Sequence, residues 1–222
     1  MTMHDAMRDV ASAGTTRLPA TVQLSRNETE ALCFKAACGQ GMSWGLAEEA
    51  GFAAAWLAAQ GVDGAGLLLR LLEAGDEAGD EPAAGEAPLC PIRLGVALLD
   101  HAGAKALTFA GTVSWPALLV PFLVEATRRL DSAVTLSCDG IALMIAGGRA
   151  DPAALARLAA VATAAVALQA AQPDASLPAP VQRRAAVATA SIEALAAYAL
   201  RTTVPATEAS RSGAGAMGDD ND

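Results

Sequence analysis

Residues Val134–Ile145 constrain the fold more than any other stretch of the chain. Two apolar runs, Val134–Cys138 and Ile141–Ile145, flank the dipeptide Asp139-Gly140. Asp-Gly in a two-residue loop favours a type I′ turn, whose backbone twist matches that of the strands it joins. That turn sets a register pairing Cys138 with Ile141, Leu136 with Leu143, and Val134 with Ile145. These six residues are all apolar and share one face, whereas Thr135, Ser137, Ala142 and Met144 share the other. A slip of one residue would move the apolar set to the solvent side, so turn chemistry and alternation specify the same hairpin. The chain therefore contains an antiparallel pair with one covered face, which excludes an all-helical or purely parallel architecture.

Upstream the pattern is helical. Ser25 and Glu28 form a capping box that opens a helix running through Leu32 and Ala36. Gly39-Gln40-Gly41 ends it with a C-cap signal. Ser43 begins a second helix, Trp44 to Gln60, closed by Gly61, with Trp44, Ala47, Gly51, Ala55 and Ala58 near one face. A leucine-rich third helix spans 66–74. Residues 1–22 show no sustained periodicity and read as a flexible extension, and 75–88 as an acidic loop. Beyond it, Ile92–Leu99 reads as a buried strand and Ala106–Val113 as a second. Pro121 suits the start of a helix ending near Leu130, and Asp151-Pro152 an N-cap with a proline behind it. Alanine hides the period over 161–171, leaving helix and strand both open there. A loop at 172–180, a strand at 181–190 and a final helix from Ser191 to about Arg201 complete the chain.

Strands and helices interleave without βαβ regularity, which predicts an α+β fold: an N-terminal helical layer on a mixed or antiparallel sheet containing the 134–145 hairpin. The expected organisation is one domain over 23–204, with its helical part at 25–74 and its sheet-rich part at 89–204. A Gly/Asp-rich tail, 205–222, follows.

About a quarter of the 222 residues are alanine and only 4% are aromatic, so the core is built from small side chains. The net charge of −9 equals the acids of Glu73–Glu86 plus Asp219, Asp220 and Asp222. The remainder is formally neutral and has no basic stripe, which argues against a nucleic-acid partner. Arg128-Arg129 and Arg183-Arg184 read as solvated faces or carboxylate partners. No apolar stretch reaches the ~20 residues of a membrane span. The N-terminus has no continuous apolar segment of the signal-peptide kind. Cys33, Cys38, Cys90 and Cys138 have no C-x-x-C spacing and read as reduced thiols. With His4 and His101 the only histidines, a zinc site has little material. These features together place the protein in the cytoplasm.

No G-x-S-x-G, H-E-x-x-H, Walker loop or dinucleotide fingerprint occurs. His101 reads as a turn residue. Two segments concentrate unusual polar residues. In Ser43-Trp44-Gly45-Leu46-Ala47-Glu48-Glu49, Glu48 lies one turn beyond Trp44, so an acid and an indole can flank one cleft. The alternative puts Trp44 in the core, with Glu48 and Glu49 complementing the helix N-terminus. In the tail, Arg211 beside Gly213 and Gly215 can form an anion nest from a guanidinium and backbone amides, with Glu208 close by. Asp219, Asp220 and Asp222 offer oxygen ligands without EF-hand spacing. The alternative for this segment is a disordered polar tail.

The residues Ser25, Asn27, Glu28, Glu30 and Leu32, then Ser43-Trp44-Gly45, Ala47-Glu48-Glu49-Ala50-Gly51 and Trp56-Leu57, resemble an uncharacterised bacterial family, one of the domains of unknown function. The ending Val204-Pro205-Ala206-Thr207-Glu208-Ala209-Ser210-Arg211, with Gly213, Gly215 and the closing Asp-Asn-Asp, is similar to the same family. The resemblance implies that the tail belongs to the protein's working design; it implies no reaction and no cofactor.

The resulting expectation is a site for a small anionic metabolite where the Trp44 helix meets the tail. Ser43, Trp44, Arg211, Gly213 and Gly215 would bind, and Glu48, Glu49 or Glu208 would transfer protons. The competing expectation is a non-catalytic accessory or structural subunit of a metabolic complex, with a protein partner or a second copy docking on tail and acidic loop. Whether the chain is an enzyme, and with what cofactor, stays open.

Overall fold

The computed structural model describes residues 19–75, 88–102, 107–172, 177–178 and 184–202. A short strand, β1 (Thr21–Leu24), begins inside the stretch expected to be a flexible extension. It pairs antiparallel with β7 (Ala185–Ala188) near the other end of the chain. That partner lies some 165 residues away, out of reach of any local pattern.

Helix α1 (Arg26–Gly39) opens on the expected capping box. The Ser25 hydroxyl accepts from Glu28 N–H at 3.2 Å, and Glu28 Oε2 accepts from Ser25 N–H at 2.7 Å. Helices α2 (Trp44–Ala59) and α3 (Gly64–Glu73) follow, α3 capped by the Asp63 carboxylate on Gly66 N–H. Ala36, Ala37, Ala47, Ala50 and Ala54 are fully buried, and such small side chains let α1 and α2 lie close together. Helix α7 (Thr189–Leu200) comes back from the far end of the chain to pack on α1.

The segment expected to be a buried strand at Ile92–Leu99 is instead helix α4 (Pro91–Asp100). A short apolar run does not by itself distinguish the two. The deciding features are Pro91, whose fixed φ suits the first helical turn, and the spacing of Ile92, Gly95 and Leu99 along one side. The second expected strand forms, but over Phe109–Ser114 (β2). A 3-10 turn, Pro116–Leu119, leads into α5 (Val120–Leu130).

The hairpin forms as its turn requires. Strands β3 (Ala133–Cys138) and β4 (Ile141–Ala146) pair Cys138 with Ile141, Leu136 with Leu143, and Val134 with Ile145. Asp139 and Gly140 both have positive φ, 45° and 75°. Strand β5 (Arg149–Ala150) follows. Helix α6 (Pro152–Leu158) is capped by Asp151 Oδ1, which accepts from the backbone N–H groups of Ala153 and Ala154. The alanine-rich stretch left open above is a strand, β6 (Thr163–Ala170). It is an interior strand, flanked by β2 and β3, of a five-stranded sheet ordered β2-β6-β3-β4-β5, whose strand pairs are all antiparallel.

The fold is α+β. Helix α2 contacts α4 and α5, and α5 in turn packs on β3 and β4 of the five-stranded sheet. One continuous core joins Leu57, Leu67 and Leu68 of the helices through Phe122 to Leu136, Leu143 and Ile145 of the sheet. The first turn of α2 and the C-terminal end of α7 are left exposed on the outer side of α1.

Candidate functional site

Helix α1 faces two neighbours with two rows of side chains. Asn27, Glu30, Ala31 and Phe34 recur at three- and four-residue intervals on the side facing the start of α2. Leu32 and Lys35 lie on the side facing α7. Trp44 stands over this helix as the first residue of α2 and is 68% exposed. Of the two readings of Trp44, burial in the core is thereby overturned. Its indole meets the Phe34 ring edge-on, with centroids 4.9 Å apart and planes at 73°. Its Nε1–H donates to Glu48 Oε1 at 2.9 Å, the one-turn spacing seen in the sequence. Ser43 holds the N-cap position of α2, but its hydroxyl makes no capping bond and is exposed.

Three connected hollows run along this surface. The first, about 400 Å³, is lined by Asn27, Glu30, Ala31, Phe34, Trp44 and Glu48. The second, a groove of about 730 Å³ between α1 and α7, shares Phe34 and Trp44 with the first. Its other lining residues include Leu32, Met42, Ala199 and Leu200, with exposed Lys35 and Thr202. The third, about 420 Å³, shares Glu30 and Glu48 with the first and adds Glu49, Leu99, Glu125 and Arg129. Together they form a trough that is apolar toward α7 and acidic toward α5.

Electrostatics differ along the trough. The Glu49 carboxyl is pushed up by burial first, then by the charges of Glu48 and Asp100, with Arg129 acting in opposition. Glu125 is held down, to about 2, chiefly by the Arg128 guanidinium and also by Arg129. The bond lengths to it are 2.6 Å from Arg128 Nη2 and 2.8 Å from Arg129 Nε. The Arg128-Arg129 pair is thus a carboxylate partner, one of the two readings the sequence allowed, and both side chains remain more than half exposed. Cys38, which lines the groove, is pushed up by burial and then by Glu48, so its thiol stays protonated at neutral pH. Burial takes Cys33 to about 12.

Among the described residues, no three His, Cys, Asp or Glu side chains gather as a metal site. His101 caps the end of α4, with Nδ1 2.7 Å from the Ala97 carbonyl oxygen, as a turn residue would. The tail candidates Glu208, Arg211, Gly213, Gly215, Asp219, Asp220 and Asp222 lie outside the described residues, as does the acidic stretch 76–87. What is described is where the tail departs. Arg201 stacks over Tyr198 at 4.4 Å and donates to Gln40 Oε1 at 3.1 Å, and Thr202 Oγ1 donates to the Ala199 carbonyl at 2.8 Å.

The described structure brings Trp44, Glu48 and Glu49 to one trough and adds Phe34, Lys35, Leu200 and Thr202, which reading the sequence had not singled out. Asn27 and Glu30, quoted above only as part of a motif, line the trough because they share a helical side with Phe34. The one signal for them in the sequence was that spacing.

Residues 24–101 match a family described as protein of unknown function (DUF3726). The match runs from the end of β1 through α4 and its cap, and so includes Asn27, Glu30, Trp44, Glu48 and Glu49; the sheet and the tail lie beyond it. No curated protein and no solved structure matches the chain. Among the described residues, no helix is long and apolar enough to cross a membrane.

Proposed function

We propose that the chain is a cytoplasmic small-molecule-binding protein whose site is the Trp44 trough, completed by the C-terminal segment. One observation supports this above the others: Thr202, the last described residue before the tail, lines the same groove as Trp44. The last described residues before the tail thus lie at the candidate site, which supports a contribution from the tail. In this reading Trp44 and Phe34 form the apolar wall, Ser43 lies at the rim, and Glu48 fixes the indole through its hydrogen bond. Arg211 and the backbone amides of Gly213 and Gly215 hold an anionic group of the ligand. If chemistry follows binding, Glu49 is the proton-transfer candidate within the trough, since burial and the Glu48 charge push its carboxyl above the ordinary value; Glu208 is the candidate in the tail.

A thermal-shift comparison of the full chain with a chain ending at Val204 tests this. The ligand set would be small mono- and dicarboxylates and phosphate esters. At least one should stabilise the full chain and lose that effect on truncation. Equal stabilisation of both chains refutes the reading.

A second reading is favoured by a different observation. Trp44 and Leu200, each 68% exposed, flank one groove, and paired exposed hydrophobics mark protein-contact surfaces. An accessory subunit docking through this edge and the tail would co-purify with a stoichiometric partner, and truncation would release it.

A further inference from the structure

Resting on the small-molecule reading, the lining of the groove narrows the ligand class: we infer that it takes a single-chain amphipathic carboxylate, a fatty-acid-like monomer. The groove between α1 and α7 is walled by Leu32, Phe34, Met42, Trp44, Ala199 and Leu200, all apolar. Its volume of about 730 Å³ lies in the range typical of sites for compact organic ligands. Among the described residues that line it, Lys35 is the only charged one, and it forms no ion pair with any described residue. It is exposed, one turn before the close contact of α1 with α7, so its ammonium can reach a head group held at the groove's edge. The other ionisable group among the described lining residues, the Cys38 thiol, carries no charge at neutral pH.

The acidic end of the trough fixes the orientation. Glu30 and Glu48 lie across the Phe34–Trp44 ring pair from this groove, where they repel an anion and leave Lys35 as its partner among the described residues. An apolar body along Leu200 and Met42 with its carboxylate at Lys35 matches both surfaces. A cation in the same groove would have its head group beside the ammonium.

The test titrates the full chain, below micelle-forming concentrations, with hexanoate, octanoate, decanoate and decyltrimethylammonium, followed by tryptophan fluorescence and calorimetry. Each added methylene buried should tighten binding, giving roughly a tenfold gain from octanoate to decanoate. Lys35→Met should weaken decanoate about fivefold, and Lys35→Arg should restore it. Leu200→Ala should weaken decanoate as well. Equal binding of decyltrimethylammonium and decanoate, affinity independent of chain length, or indifference to both Lys35 and Leu200 would overturn the ligand class. Binding seen only with anionic phospholipid vesicles would overturn it in favour of a membrane surface. If these probes fail while another anion stabilises the full chain and not the truncated one, the ligand class falls and the binding site stands. If no anion does so, both fall.

Discussion

Replacing Gly39 with alanine sets two effects of opposite sign against each other, and the structure decides between them. Gly39 is the last residue of α1, and its backbone is not in the left-handed region, so alanine can adopt its conformation. Helix propensity alone favours the change by up to about 1 kcal/mol. Against this, a Cβ at position 39 would overlap the carbonyl oxygen of Tyr198, where α7 presses its backbone onto α1. A main-chain carbonyl has no rotamer to escape into, so α7 must move, with Leu200, Arg201 and Thr202 behind it. Overpacking of this kind costs about 1–3 kcal/mol, and a backbone obstacle places it at the upper end. The net expectation is a loss of about 2 kcal/mol, or roughly 4–8 °C in Tm for a chain of this size. Gly45→Ala is the matched control. Gly45 lies in the first turn of α2, and a Cβ there meets nothing within 4 Å. It should leave stability unchanged or raise it by up to about 1 kcal/mol. Urea unfolding followed by far-UV circular dichroism measures both. A Gly39→Ala chain as stable as the parent would refute the close approach of α1 and α7, and with it the shape of the groove they enclose.

Three further outcomes are expected. Glu49, raised on folding by burial and by Glu48, opposes folding while ionised; this penalty is present above its folded pKa and disappears as pH falls through the unfolded value of about 4.3. Glu49→Gln should therefore gain a few tenths of a kcal/mol at neutral pH, discounted for partial exposure, and lose that advantage below about pH 4; a less stable variant at pH 7 would contradict it. Gly140→Ala forces a Cβ into a φ of 75° and should cost about 1–2 kcal/mol in denaturant unfolding, with no loss expected only if the turn is of another type. Acrylamide should readily quench one of the three tryptophans, and Trp44→Phe should remove that component, because Trp56 and Trp115 are only partly exposed; an unchanged quenching curve would place Trp44 in the interior.

Local chemistry determined a good deal of this protein. The capping box at Ser25 and Glu28, the glycines that end α1 and α2, the Asp151-Pro152 helix start and the register of the 134–145 hairpin were all legible from residues a few positions apart. Each is decided by hydrogen bonds and φ preferences that operate within one turn of backbone. The pairing of Trp44 with Glu48 was legible for the same reason, since one helical turn fixes it. Where the periodic signal failed, tertiary packing decided. Ile92–Leu99 is apolar enough for a buried strand or a buried helix; Pro91 suits the helical start, and packing against α2 and α5 holds the segment as α4. Alanine over 163–170 marks no period, and those residues became an interior strand because β2 and β3 pair with them on either side. The α7 return onto α1 and the β1–β7 pairing join residues more than 150 apart, and no local rule reaches that far. The groove exists only because of that return. The sequence supplied its tryptophan and its lysine, but their facing of Leu200 and Thr202 across one apolar trough is a consequence of how the ends of the chain meet.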